Sequence, residues 1–118
     1  MQDKQECWTL GKGRKAKKFW VVNDEKSITL YSGAEGKSIT KLTFQQIDGC
    51  LQYFADRGWF ILGNGIDNIK PGGLGEYFTK HLKKSAKAAS HFAALMVAQR
   101  KLEYREGPHG RIELRVTK

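Results

Sequence analysis

The chain is poor in the residues that would mark several common protein classes. Among 118 residues there are two cysteines, Cys7 and Cys50, and two prolines. Two cysteines without close spacing make neither a disulfide framework nor a zinc ligand set. Two reduced thiols in a cytoplasmic protein is the expectation. The opening segment MQDKQECWTL has no apolar core of the kind a secretory signal needs. Long hydrophobic runs are also missing. The longest, Trp59–Leu62 and Phe92–Ala98, are far too short to span a bilayer, so no membrane partner is expected. No repeat and no low-complexity tract occurs. Acidic residues are scarce relative to basic ones: twelve Asp and Glu face twenty-one Lys and Arg, a net charge of +9. An excess of that size favours polyanionic partners.

What is present suits one small folded unit. A globule of this length buries roughly 65% of its unfolded surface and needs no metal or crosslink for stability. Residues 18–42 read as a β-meander. Phe19 and Val21 alternate with Trp20 and Val22. After the turn NDEK, Ile28 and Leu30 alternate with Thr29 and Tyr31. Beyond a glycine-containing loop comes KSITKL. β-Branched and aromatic residues bounded by Gly, Asn and Asp are the strand signal. CWTL at 7–10 is expected to add a fourth strand.

The pattern changes near residue 43. Thr43-Phe44-Gln45-Gln46 fits a capping box, and Phe44, Ile47, Leu51 and Phe54 recur at helical spacing, predicting a helix over 44–57 that stops at Arg57-Gly58. WFIL at 59–62 reads as a short strand. Leu74, Tyr77, Phe78 and Leu82 mark a second helix. Ser85 is placed to cap a third, from 86 to 101, with Phe92, Leu95, Met96 and Leu102 as its apolar stripe. Two alternating strands then flank a turn containing Gly107, Pro108 and Gly110.

The expected fold class is therefore α+β: an N-terminal antiparallel β-meander with its basic arm (1–43) packed with a helical unit (44–118). From residue 44 the order helix, strand, helix, tight turn, helix, strand, loop, strand resembles the winged helix-turn-helix DNA-binding superfamily. The resemblance rests on element order across 44–117, not on a diagnostic motif. It implies that 86–101 is a recognition helix, that 102–117 is a wing, and that WFIL pairs with the last strand. The long glycine-rich loop 63–72 departs from the pattern.

Under that resemblance the helix reads bases in the major groove through Lys87, Ser90, His91 and Ala94, which lie opposite the apolar stripe. Lys83, Lys84, Lys101, Arg105, His109 and Arg111 meet the DNA backbone. Charge is concentrated here: residues 80–118 hold ten Lys and Arg against three Glu, a net +7. A second basic cluster, GKGRKAKK at 11–18, puts Lys12, Arg14 and Lys15 on an arm suited to tracking phosphates. The expected partner is duplex DNA, with a homodimer allowed and a nucleoid or nuclear location when bound. An alternative is a single-strand or RNA binder in which aromatics of the meander stack on bases, although Trp8, Phe19, Trp20 and Tyr31 read first as core. A protein-interaction adaptor without nucleic acid is the other alternative.

No catalytic constellation stands out, so no enzyme, metal or cofactor is expected. Asp24 with Glu35-Gly36-Lys37 is the nearest approach to a metal-dependent nuclease pattern. Both pieces fall in predicted turns, which are enriched in such residues anyway. PGGLG at 71–75 lacks the Gly-Lys-Ser/Thr of a phosphate-binding loop.

Overall fold

The computed structural model describes residues 5–10, 17–33, 37–63, 71–107 and 111–117. Four strands come first: β1 (Gln5–Trp8), β2 (Lys18–Asn23), β3 (Ser27–Ser32) and β4 (Ser38–Thr43). They form an antiparallel sheet in the order β1-β2-β3-β4. The expected fourth strand exists but begins and ends two residues earlier than CWTL. Period-two alternation sorts the side chains. Phe19, Val21, Ile28, Leu30 and Leu42 point inward and are buried, while Trp8 and Ile39 lie exposed on the opposite face. The β2–β3 turn is held by Asp24, whose carboxylate accepts from the Lys26 and Ser27 amides and from the Ser27 hydroxyl. Those bonds, the Lys26 amide foremost, keep its carboxyl below the usual range.

Thr43 ends β4 and is also the N-cap of α1 (Phe44–Phe54). Both bonds of the capping box form: the Gln46 amide donates to Thr43 Oγ1 and the Thr43 amide to Gln46 Oε1, each at 3.0 Å. The helix stops at Phe54 rather than at residue 57. The Arg57 amide turns back to the Phe54 carbonyl, and Gly58 takes φ +66°.

Then follow β5 (Phe60–Ile61), α2 (Leu74–Lys80), α3 (Ala86–Ala98), β6 (Leu102–Glu106) and β7 (Ile112–Val116). The second sheet has the order β5-β7-β6, all antiparallel. The strand within WFIL thus pairs with the last strand, Phe60 opposite Leu114. Ser85 caps α3, its hydroxyl accepting from the Lys87 amide. At the other end Arg100 adopts φ +62°, its amide donating to Val97 and the Lys101 amide to Met96. This is a Schellman closure with arginine where glycine is usual, and it ends the helix three residues before the expected Lys101.

One continuous core joins the two halves, from Phe19, Val21 and Leu30 through Phe78, Phe92 and Met96 to Leu114. Helix α3 runs through its middle, with nine of its thirteen residues buried. One side packs on α2, with the Phe78 and Phe92 rings 5.3 Å apart. Another meets the meander, with Phe19 and His91 5.0 Å apart. A helix apolar on nearly every side must be enclosed on nearly every side. Burying Phe19 alone contributes about 2–3 kcal/mol.

Candidate nucleic-acid interface

The four residues expected to read bases divide into two pairs. Lys87 is exposed and Ser90 is half-buried, its hydroxyl donating to the Lys87 carbonyl. His91 and Ala94 are each only 5% exposed. This corrects the expectation that all four lie on an open face. The meander covers the middle of α3, with Phe19 against the His91 ring, so neither His91 nor Ala94 reaches a base edge in this arrangement. Burial, joined by the positive charges of Lys87 and Lys17, lowers the His91 pKa and favours the neutral ring.

Lys17 is absent from the expected backbone set; two residues before Phe19, it falls on the side of the first sheet that meets His91. Lys17 precedes β2 and is fixed by a reciprocal clamp: its amide donates to Thr9 Oγ1 at 2.8 Å, and the Thr9 amide donates to its carbonyl at 2.9 Å. Lys87 approaches the same histidine from the first turn of α3. Just before the helix, Lys83 is exposed with φ +57°, and Lys84 is anchored by its amide to the Phe78 carbonyl. Among the described residues, no carboxylate forms an ion pair with Lys17, Lys83, Lys84 or Lys87. Lys83 and Arg100, at the two ends of α3, are the non-glycine residues with positive φ among those described. Lys12, Arg14 and Lys15 lie outside the described residues.

The β6–β7 hairpin, expected to act as a wing, is arranged differently. Arg105 sits opposite Glu113 and Arg115 opposite Glu103 across the β6–β7 ladder, the favourable cross-strand arrangement of opposite charges. Arg105 Nε donates to Glu113 at 2.7 Å, and Arg115 pairs with Glu103. Both guanidinium groups also rest on the Trp59 ring, at 4.1 and 4.6 Å from its centroid. Arg105, expected on the DNA backbone, is therefore already engaged by a carboxylate and an indole. Arg111 and Lys101 are exposed, and His109 lies outside the described residues.

The aromatics of the meander divide as well. Phe19 is core, as expected. Trp8 is 57% exposed and shares the outer face with the half-buried Trp20 and Tyr31, which corrects their assignment to the interior. Lys18 lies between the two indoles, 5.5 Å from the Trp8 ring and 6.0 Å from that of Trp20, and pairs with Glu6 at 3.6 Å. The polar company of these rings, Lys18, Thr29 and Lys41 at alternate positions, was the sequence signal that this face is the wet one.

The remaining candidates have structural duties. Asp24 has both carboxylate oxygens engaged in its turn, while Glu35 and Gly36 lie outside the described residues. At PGGLG the Gly72 amide donates to Glu76 Oε1 at 3.2 Å, so a side-chain carboxylate holds the place a phosphate oxygen would take. Among the described residues, no group of three or more His, Cys, Asp or Glu is arranged to hold a metal ion, and no helix is long and apolar enough to cross a membrane. Comparison with known proteins finds no matching family model, no matching curated protein and no matching solved structure.

Proposed function

We propose that the protein binds nucleic acid and grips its sugar–phosphate backbone at the N-terminal end of α3, through Lys17, Lys83, Lys84 and Lys87. One observation carries this reading. Lys83, Lys84 and Lys87 stand at the start of α3 and Lys17 on the side of the sheet that packs on that helix, none with a carboxylate partner among the described residues, whereas Arg105 and Arg115 are neutralised within their own sheet. Gathering like charges is unfavourable unless an anion relieves it. Phosphate contacts of this kind release counterions and bind with little regard to sequence.

Docking on a duplex is a second reading, favoured by the helix order and by the β5-β7-β6 sheet. In that form only the tip of α3, Lys87 and Ser90, enters the major groove, since His91 and Ala94 are enclosed.

Titration of fluorescently labelled duplex and single-stranded oligonucleotides tests the reading. The full chain is expected to bind at low salt. The variant with Lys17, Lys83, Lys84 and Lys87 all changed to alanine is expected to lose affinity by at least 10-fold, with unchanged circular dichroism. Equal affinity of variant and parent, or no binding by the parent, overturns the reading. Binding insensitive to salt would instead mark a protein-interaction adaptor.

A further inference from the structure

The outer face of the first sheet says which form of nucleic acid the lysines serve. We infer that the ligand is single-stranded and that its bases stack on Trp8 and Trp20; this rests on the nucleic-acid reading above. Glu6, Trp20, Tyr31 and Ile39 are successive Cα partners across all four strands, so the apolar groups form one band and are not scattered. Trp8, diagonal to Trp20, is 57% exposed and Ile39 is 63% exposed. Single exposed apolar residues are ordinary on a protein surface, but a band of flat rings on an antiparallel sheet is the physical device that holds splayed bases. A duplex has no free base faces to offer it.

Charge selects the occupant. Lys18 sits between the indoles, and Lys41 is exposed on the same face. Within the four strands Glu6 is the one acidic residue, and Lys18 already pairs with it. A cation interleaved with stacking rings matches a chain of alternating base and phosphate.

Chain geometry joins this face to the lysine cluster. Lys17 and Lys18 are consecutive, so their side chains leave the strand on opposite sides. Lys18 lies among the indoles, and Lys17 falls on the side of Phe19, whose ring meets His91 of α3. A strand stacked on Trp8 and Trp20 passes over the β1–β2 end of the sheet and delivers its next phosphates to the tip of α3.

Fluorescence anisotropy of the full chain with labelled oligothymidine and with a mixed-sequence duplex tests this. Trp8→Ala and Trp20→Ala are each expected to weaken oligothymidine binding by about 5- to 150-fold and to leave duplex binding unchanged. Trp8→Phe, which keeps a ring, is expected to retain most of the affinity. Both indoles lie on the outer face, and circular dichroism of the variants verifies folding. Unchanged oligothymidine affinity in both alanine variants, with weakening by Lys83→Ala, overturns the stacking inference and leaves the backbone reading in place. Failure of the parent chain to bind any nucleic acid overturns both. A dimer that Trp8→Ala dissolves in sedimentation velocity, with oligothymidine affinity unchanged, assigns the face to a second copy of the chain and overturns the inference.

Discussion

Changing Lys83 and Lys84 together to alanine is expected to halve the salt dependence of single-strand binding. The magnitude follows from the four lysines assigned to phosphate around the start of α3. Lys17, Lys83, Lys84 and Lys87 form no ion pair among the described residues. Four phosphates neutralised on a single strand give a slope of log K against log salt of about −2.8. Between about 50 and 200 mM salt that slope costs about 50-fold in affinity; with two lysines removed it becomes about −1.4, and the loss over the same range falls to about 7-fold. Arg105→Ala is the control. Its guanidinium is already held by Glu113 and Trp59, so the slope is expected to stay within experimental scatter of the parent. Anisotropy titrations at four or more salt concentrations measure all three slopes. If Arg105→Ala flattens the slope as much as one lysine does, free and self-paired cations are equivalent here and the reasoning fails.

Four further outcomes are expected. Phe19→Ala, at a site with 0% exposure, should destabilise the fold by about 3–5 kcal/mol, read as a shift in the urea midpoint. Because the folded state lowers the His91 pKa from 6.5, the unfolded chain binds its proton more readily. Its contribution is therefore complete above about pH 6.5, declines as pH falls through the folded pKa, and then levels off; His91→Leu should flatten that part of the stability profile. Lys83→Gly, at φ +57°, should raise stability by about 1 kcal/mol through release of left-handed strain while weakening nucleic-acid binding. Burial pushes the Cys50 thiol up to about 12 and raises that of Cys7 to a lesser extent, so iodoacetamide near neutral pH should label Cys7 first and reach Cys50 only on denaturation; mass spectrometry of timed samples decides it.

Local chemistry made much of the fold legible. The Thr43–Gln46 reciprocal cap, the Ser85 cap and the inward alternation of Ile28 and Leu30 each depend on neighbours a few residues apart, and each stands where the pattern placed it. Helix ends were less legible, because Arg100 takes a left-handed conformation usually reserved for glycine. The site was harder still. Small residues such as Ala88 and Ala94 let a helix be approached closely, but nothing local says whether the approaching surface is a groove of DNA or the chain's own sheet. That choice was made by Phe19, some seventy residues away, seated on His91. The same reasoning applies to Trp8 and Trp20: rings that look like core are core only when another layer arrives to cover them. Here the layers are used up on the other side of the sheet.

Thr43 is both the last residue of one sheet and the cap of the next helix, and the joint between the two halves consequently has no spare length. A tether lets two gripping surfaces search for their ligand separately; a joint of zero residues makes them a ruler. With Phe19 also seated on His91, the spacing between the indole face and the start of α3 is set by packing and not by a linker. Affinity should rise in a single step once an oligonucleotide is long enough to reach both, and further lengthening should add little.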